Sequence, residues 1–498
     1  MYSAIKFQIR KGDEFFDYCD QITKAANNLY NAALFRVRQV LTFTNKSQAQ
    51  WTDNEWEVFR ELEVALPLMN QVSKKQQYKM PTAGKTFLSY RFLDTLLRVT
   101  RNPDYTTKCI SAHAAQATLK EVVASMTSFY AAIREHKKMP GKFTGKPKLP
   151  GYGKPGSNRT AEISNQECVL YAKDGGLEIK LPLIHKRYNI ANAPVSGKLK
   201  MASIVPTHGI FLLVLIMDDG KETPATKTPN RICAIDMGVN NLAAITNNIG
   251  EPCLLFKGGV AKSINQEYNK RMAKIMSEQT SGTTKKFVMT PESHALCQKR
   301  NAIISDLMHK NAKAIVEWCK ANDIDTIVIG KTKSWKQESN IGAKNNQTFV
   351  QLPFDILRQY IAYRAERYGI NVIEQEESYT SKASFVARDF IPVYGKNDSE
   401  AKFSGKRIQR GIYRNEDNTE INADLNGSAN ILRKAFPEAF DGKPVPDFQN
   451  AIVIKHPDLE KATALHQRQL KNKKPISKAK LCRQARKQKS NPSGIVAL

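Results

Sequence analysis

Acidic residues stand at the ends of several predicted strands and helices in the second half of the chain. Asp236 ends the apolar run ICAID, Asp424 opens a predicted helix, and Glu376 and Glu377 end the run GINVIEQEE. A carboxylate at the end of a buried strand is costly unless a metal ion or a cation neutralises it. Carboxylates on neighbouring elements hold magnesium ions in enzymes that hydrolyse phosphodiesters. Each residue alone also fits a structural role, as a helix cap, a solvated strand end or a member of a surface pair.

The elements that carry these acids follow the order found in RNase H-like nucleases. ICAID and NLAAITNN form a predicted strand hairpin, and CLLFKGG predicts a third strand. Helices are predicted over 264–279 and 294–321, followed by the strand DTIVIG, a helix over 353–368 and the strand GINVIEQEE. After a polar stretch at 385–423 that is predicted to be irregular, the last helix begins near Asp424. A single α/β sheet can therefore bring the acids together.

The first half of the chain has a different pattern. Residues 1–10 alternate between apolar and polar and predict a strand, whereas residues 14–136 repeat apolar positions at three and four and predict helices. Three prolines are expected to break this helical region: Pro67, Pro81 and Pro103. Short strand-like runs follow, from CVLYA to GIFLLVLIM, and KETPATKTPN is typical of a linker.

The composition excludes several classes of protein. The chain has 498 residues, which suggests roughly three or four domains. A hydrophobic content of 41% argues against a disordered protein, and 76 Lys+Arg against 47 Asp+Glu give a net charge of +29, which points to nucleic acid. No apolar run is long enough to span a membrane, the N-terminus lacks a signal-peptide core, and the eight Cys form no CxxC pair. We expect an intracellular protein without a membrane partner, cytoplasmic or nucleoid-associated if prokaryotic.

Basic segments are candidates for contact with nucleic-acid phosphates. Residues 137–159 hold no acid and six lysines: Lys137, Lys138, Lys142, Lys146, Lys148 and Lys154. Lys299 and Arg300 form a further basic pair, and Trp335 lies in a polar loop, where it can stack on a base or cap the sheet. The tail at 455–498 holds nine Lys and three Arg up to residue 490 and predicts a basic arm. For each of these residues, a solvated charged face is the alternative.

Three segments resemble the RuvC-type nuclease of TnpB proteins, which are transposon-encoded, RNA-guided DNA endonucleases related to type V CRISPR effectors and to Fanzor proteins. The segments are AIDMGVNNLAAIT, ESYTSKASF and RGIYRNEDNTEINADLNGSANILRKAF, and the resemblance covers about residues 229–436. It implies two magnesium ions, guide RNA and target double-stranded DNA as partners, and cleavage of guide-matched DNA beside a short flanking motif. We expect a monomer.

The resemblance implies a multidomain fold, α/β plus α, in which an RNase H-like (RuvC) nuclease domain joins a β-rich wedge domain and a helical recognition lobe. The implied boundaries are a first wedge segment at 1–13, the recognition lobe at 14–136, a second wedge segment at 137–228, a first RuvC segment at 229–378, the target-strand-loading insert at 379–423, a second RuvC segment at 424–454 and the basic tail at 455–498.

Two departures from the family pattern affect the site. The insert at 379–423 contains no Cys, whereas the family usually carries paired CxxC zinc-ribbon motifs there, so no structural zinc is expected. Asp236 matches the first catalytic Asp of the family and Asp424 the last. The middle catalytic Glu usually ends the strand that here is DTIVIG, where Gly330 stands instead.

Three acids compete for the role of the missing glutamate. Glu338 follows Gly330 in a polar loop, whereas Glu376 and Glu377 end the next strand. Successive residues of a strand face opposite sides, so only one of the two should point at the site. Fanzor-like relatives with a relocated glutamate carry it three residues before the Thr of a Thr–Ser pair, and Thr380 begins that pair here, which favours Glu377.

These observations predict an active RNA-guided DNA endonuclease with Asp236, Glu377 and Asp424 as catalytic magnesium ligands and Glu376 as the alternative to Glu377. Two other functions remain open. The first is a guide-dependent DNA-binding repressor that has lost cleavage, which Gly330 supports. The second is a DDE-type transposase that joins DNA ends.

Overall fold

The computed structural model describes residues 1–73, 76–173, 176–184, 186–191, 197–282, 284, 286–331, 351–393 and 401–455. The backbone forms two compact units, Met1–Glu222 and Thr223–Leu498, called here the N-terminal and the C-terminal unit. Within those described ranges, no helix is long and apolar enough to cross a membrane. Trp335, Glu338 and residues 456–498 of the predicted tail lie outside the described residues.

The helices predicted for the N-terminal unit are present. They are α1 (Phe16–Phe43), α2 (Asp53–Val72), α3 (Tyr90–Val99), α4 (Pro103–Thr106) and α5 (Ala112–Lys138). Hydroxyl side chains begin α2, α3 and α5, where Thr52, Ser89 and Ser111 each accept a hydrogen bond from the backbone of the first turn.

The prediction that Pro67 breaks the helical region is wrong. Pro67 lies exposed inside α2, which continues to Val72. The missing N–H removes one helical hydrogen bond, but Leu62 and Met69 on the opposite face remain fully buried and hold the helix against its neighbours. Pro103, by contrast, opens α4, where a proline costs little because the first N–H of a helix has no partner in the helix.

The strands of the N-terminal unit form two antiparallel sheets. They are β1 (Tyr2–Ile9), β2 (Ala161–Ser164), β3 (Val169–Lys173), β4 (Gly176–Lys180), β5 (Tyr188–Ala191), β6 (Lys198–Thr207) and β7 (Ile210–Asp218). One sheet has the order β1–β7–β6–β2 and the other β3–β4–β5. The Met1 amino group also bonds the Asp219 carboxylate (2.8 Å), just after β7. β1 therefore pairs with β7, although helices α1 to α5 lie between these two strands in the sequence.

The C-terminal unit is built on one six-stranded mixed sheet. Its strands are β8 (Ile232–Asp236), β9 (Asn241–Asn247), β10 (Pro252–Lys257), β11 (Thr326–Lys331), β12 (Asn371–Glu376) and β16 (Asp447–Ile454), in the order β12–β11–β8–β9–β10–β16. β8, β9 and β10 are antiparallel neighbours, whereas β11 runs parallel to both β8 and β12. β16, which the sequence pattern does not predict, pairs in parallel with β10.

Helices cover both faces of this sheet. They are α6 (Gly259–Thr280), α7 (Pro291–Ala321), α8 (Phe354–Glu366) and α9 (Ala423–Ala435). Alternate residues of β8 point to opposite faces: Cys233 and Ile235 join the core formed with α7 and α8, and Ile232 and Ala234 join the core formed with α9. Asp236 continues the second series and therefore lies on the α9 face.

The predicted irregular stretch at 385–423 is partly ordered into strands, so that prediction is wrong in this respect. β13 (Lys406–Gln409), β14 (Ile412–Arg414) and β15 (Glu420–Asn422) form a small antiparallel sheet. These strands are three or four residues long, and β13 carries only polar and charged side chains apart from Ile408. Runs this short and polar carry little strand signal, which is why the sequence does not predict them.

Candidate active site

Asp236 places a carboxylate at the carboxyl end of β8, on the face covered by α9. The neighbouring strand residues Ala234 and Ile235 are fully buried. A Cβ atom at Gly427 of α9 would lie 2.7 Å from the Asp236 Oδ2 atom, so the helix approaches this carboxylate closely only because residue 427 has no side chain.

Asp424 lies in the first turn of α9 but does not cap it. Asn422 is the N-cap, and its side chain accepts hydrogen bonds from the backbone of Asp424 and Leu425. The Asp424 carboxylate instead accepts hydrogen bonds from Asn241 Nδ2 (2.7 Å) and Arg407 Nη2 (3.3 Å). The helix-cap alternative for Asp424 is therefore wrong, since Asn422 performs that role.

Glu377 brings its carboxylate to the position that the side chain of residue 330 would occupy. β11 and β12 are parallel neighbours with Gly330 opposite Gln375, and Glu377 is the first residue after β12. A Cβ atom at Gly330 would overlap the Glu377 Oε2 atom and would lie 2.7 Å from Ile431 Cδ1 of α9. Glu377 Oε2 is shielded from solvent.

Glu376 is held in a different environment. Its carboxylate forms an ion pair with Lys434 (2.6 Å), whose side chain is 6% exposed, and accepts a hydrogen bond from the Ser378 N–H (2.7 Å). Burial favours a higher pKa for Glu376, but the hydrogen bonds from Lys434 and Ser378 outweigh it and lower the pKa below the usual glutamate range. Glu376 therefore has a structural partner of its own.

The Asp236 carboxyl group carries a strongly raised pKa. Burial is the largest cause, followed by the negative charges of Glu377 and Asp424, and Arg407 only partly offsets them. Glu377 and Asp424 therefore both act electrostatically on Asp236, although the three residues lie after β12, on α9 and on β8.

These carboxylates suit magnesium by chemical type, because hard oxygen ligands are what this ion prefers. Burial raises the pKa of Asp236 most, and the repulsion from Glu377 and Asp424 that adds to this shift is what a divalent cation relieves. Among the residues that the structure describes, however, no three Asp, Glu, His or Cys side chains are already gathered as a site for one ion. Glu377 and Asp424 thus influence Asp236 electrostatically, but the three carboxylates do not form a finished coordination shell.

Polar contacts within the predicted insert at 379–423 join its segments to one another. The Asp389 carboxylate accepts hydrogen bonds from the Ser384 N–H (2.7 Å) and from Ser404 Oγ (2.8 Å). The fully buried Tyr413 donates its hydroxyl to the Lys382 carbonyl (2.8 Å). The absence of a structural zinc stays a prediction.

The predicted nucleic-acid contacts fall into different environments. All six lysines of the 137–159 segment are exposed, and Lys142 forms an ion pair with Glu135 (2.7 Å). Lys299 is exposed, whereas the half-buried Arg300 donates to Asn265 Oδ1 (2.8 Å) and to the Gln351 carbonyl (2.7 Å). Those bonds give Arg300 a structural task that the sequence does not reveal.

Four residues of the site are not predicted from the sequence: Asn241, Arg407, Gly427 and Lys434. A glycine inside a predicted helix signals a close approach, so Gly427 could have been found. Arg407 and Lys434 carry no such local signal, because their partners Asp424 and Glu376 lie in other elements.

Two family models match the C-terminal half of the chain. A model described as "Probable transposase" matches residues 213–336, and a model described as "Cas12f1-like, TNB domain" matches residues 354–431. A curated relative, the TnpB-like protein ORF457 of Acidianus two-tailed virus, is 26% identical over 211 residues. That match covers 41% of this chain and spans 42% of the relative's length.

Cas12 effectors are among the solved structures that align with this chain. The Cas12f1–sgRNA–target DNA complex matches with a TM-score of 0.46 and 14% identity, over 86% of this chain and 98% of that chain. Alicyclobacillus acidoterrestris C2c1 in complex with single-guide RNA matches with a TM-score of 0.28 and 10% identity, over 82% of this chain and 69% of that chain.

Proposed function

We propose that this chain, which is similar to a TnpB-like protein over 41% of its length, is an RNA-guided DNA endonuclease that hydrolyses guide-matched double-stranded DNA beside a short flanking motif. The observation that carries this proposal is the Glu377 carboxylate in the space left by Gly330, together with the influence of Glu377 and Asp424 on the pKa of Asp236. Asp236, Glu377 and Asp424 are the proposed catalytic metal ligands, and Glu376 is the alternative that its ion pair with Lys434 disfavours.

In this proposal the nuclease domain and its insert belong to the C-terminal unit, and the wedge and the recognition lobe belong to the N-terminal unit. The six-stranded sheet with α9 is the RNase H-like (RuvC) nuclease, and residues 379–423 form the target-strand-loading insert. In the N-terminal unit, the sheet β1–β7–β6–β2 belongs to the wedge, and the helices over 14–136 form the recognition lobe. Guide RNA and target DNA are the proposed partners, which the net charge of +29 supports.

The side chains around the three carboxylates have distinct tasks in this proposal. Bound there, two magnesium ions would activate a water molecule and stabilise the leaving oxygen of the phosphodiester. Asn241 orients the Asp424 carboxylate, and Lys257 in turn donates to Asn241 Oδ1 (2.8 Å), which fixes the amide. Gly427 and Gly330 leave the space that the carboxylates of Asp236 and Glu377 occupy.

A transposase that joins DNA ends is the second candidate, because the matched family model is described as "Probable transposase". Both reactions attack a phosphodiester with help from carboxylate-bound metal ions. They differ in the nucleophile, which is water for the endonuclease and a DNA 3′ hydroxyl for the transposase.

The test is to sequence the RNA that copurifies with the protein and to supply a duplex matched to it. We expect the wild-type protein to cut that duplex in a magnesium-dependent manner and Asp236→Ala not to cut it. Both proteins should bind the duplex through the guide, because the metal ligands stabilise the transition state more than they contribute to DNA affinity. Binding without any cutting by the wild type would identify a repressor. Joined DNA ends without bound RNA would identify a transposase.

A further inference from the structure

Two asparagines on one face of α9 bind the segment that follows Glu377. Asn426 and Asn430 lie one helical turn apart and are fully buried. Asn426 Nδ2 donates to the Ala383 carbonyl (2.8 Å), and its Oδ1 accepts from the Phe385 N–H (3.0 Å). Asn430 Nδ2 donates to the carbonyls of Thr380 (2.9 Å) and Ala383 (2.7 Å). The two amides thus hold both ends of the segment 380–385.

Thr380 connects this pair of amides to Glu377. Its hydroxyl donates to the Glu377 carbonyl (2.8 Å), and its N–H approaches the same carbonyl (3.3 Å). A chain of hydrogen bonds therefore runs from Asn430 through Thr380 to the backbone of Glu377. Tyr379, between Glu377 and Thr380 in the sequence, has a φ of +65°. A bulky residue adopts this left-handed conformation only when its surroundings impose it.

The adjacent face of α9 borders the carboxylates of Asp236 and Glu377. Ile431, beside Asn430 in the sequence, lies next to the space at Gly330 that holds the tip of Glu377, and Gly427 contacts Asp236. Ser428 Oγ donates to the Ala234 carbonyl of β8 (2.8 Å) and fixes the helix on the sheet. The same helix therefore reaches the backbone of Glu377 through the Asn430–Thr380 hydrogen bonds, and its Ile431 borders the space at Gly330 that holds the Glu377 carboxylate.

We propose that Asn430 is a positioning residue for the Glu377 carboxylate, that it acts through Thr380, and that Asn426 secures the far end of the same turn. This inference rests on the proposed function, in which Glu377 is a metal ligand. Groups that orient a metal ligand by hydrogen bonds contribute to metal affinity without touching the ion. Loss of Asn430 would leave the turn with Tyr379 in a disfavoured conformation and would let Glu377 leave the space at Gly330.

The test is Mn²⁺ binding to the full-length protein, measured by calorimetric titration without nucleic acid. Asn430→Ala should weaken binding about tenfold, the lower end of what such groups contribute. Asn248→Ala is the matched control: Asn248 is also buried and donates to two backbone carbonyls, Asn230 and Ala439 (3.0 Å each), away from Glu377. It should lose a similar amount of thermal stability with unchanged Mn²⁺ affinity.

A double variant separates this inference from the proposed function. If Glu377 is a ligand, Glu377→Gln weakens Mn²⁺ binding, and adding Asn430→Ala weakens it no further, because both changes act through one carboxylate. An effect of Glu377→Gln without any effect of Asn430→Ala, or fully additive effects, would overturn the positioning role alone. No effect of Glu377→Gln would overturn its assignment as a ligand. If Asn430→Ala does not fold, Thr380→Val, which removes the hydroxyl bond to Glu377, is measured in its place and should show the same non-additivity.

Discussion

Asp236 is half-buried, and the charges of two other carboxylates act on its carboxyl group, an arrangement that is unfavourable in the absence of a cation. Its pKa is raised by burial and then by Glu377 and Asp424. An acid whose pKa is higher in the folded than in the unfolded state stabilises the fold fully at low pH, and this contribution is lost as pH rises through the folded pKa. This carboxyl group therefore destabilises the metal-free protein as pH rises through its raised pKa.

Magnesium should stabilise the protein more at high pH than at low pH. Above the raised pKa of Asp236 the ion relieves the repulsion among ionised carboxylates, whereas at low pH it must displace a proton. The measurement is the thermal unfolding midpoint with and without Mg²⁺, over a pH series from about 5 to about 8. In Asp236→Asn the difference should be smaller and should vary less with pH. A magnesium effect of equal size at every pH in the wild type would contradict this explanation.

The pairing of the neighbouring strands β11 and β12 explains the position of the Glu377 carboxylate. Gly330, the next-to-last residue of β11, has no side chain, and the carboxylate in its space comes from Glu377, just after the adjacent strand. Parallel pairing brings the ends of both strands to the same edge of the sheet. A functional group can therefore keep its place in space while its position in the sequence moves to the next strand.

Gly330→Ala tests whether the position of the Glu377 carboxylate depends on the absence of a side chain at residue 330. The added methyl group would overlap Glu377 Oε2 and would press on Ile431, so Glu377 must move away. We expect a loss of about 1–3 kcal/mol of stability and loss of most guided cleavage. Gly259→Ala in the first turn of α6 is the control, because a Cβ atom there meets nothing within 4 Å. Equal cleavage by both variants would show that Glu377 does not need the space.

The strands and helices of the C-terminal unit could largely be predicted, because apolar periodicity is a local property of the chain. For the same reason the end of β8 marked Asp236 and the end of β12 marked both Glu376 and Glu377, whereas the choice of Glu377 rested on the family resemblance. The short strands β13, β14 and β15 and the contacts of Arg407 and Lys434 could not be predicted, since they depend on residues that are distant in sequence. Similarly, Pro67 gives a strong local signal that packing of α2 overrides.

At the scale of the whole molecule, a net charge of +29 on 498 residues requires polyanionic partners or a strongly self-repelling surface. The segment 137–159 concentrates positive charge on exposed side chains of the N-terminal unit. Exposed lysines can neutralise phosphates without reading sequence. Their contribution should therefore appear in the salt dependence of binding rather than in the choice of target.

Replacing Lys146, Lys148 and Lys154 together by Ala should reduce the salt dependence of nucleic-acid binding. The slope of log K against log salt is negative, and each lost phosphate contact reduces its magnitude by about 0.7–0.9, so the loss of three contacts reduces it by about 2–3. The control replaces Lys24, Lys274 and Lys310, exposed lysines that each pair with an acid four residues away on their helix. Equal slopes for the two triple variants would assign the 137–159 segment to the solvated surface.

In the proposed function, Glu377 provides the middle carboxylate of an RNA-guided nuclease. The most direct test is the cleavage rate of a guide-matched duplex in Mg²⁺ by Glu377→Gln and Glu376→Gln, each loaded with its copurified RNA. Both changes remove one negative charge from adjacent residues, and in Glu376→Gln the new amide oxygen can still accept a hydrogen bond from Lys434. We predict that Glu377→Gln binds the duplex but does not cut it, whereas Glu376→Gln cuts at a rate close to that of the wild type. Normal cutting by Glu377→Gln together with an inactive Glu376→Gln would contradict this role of Glu377.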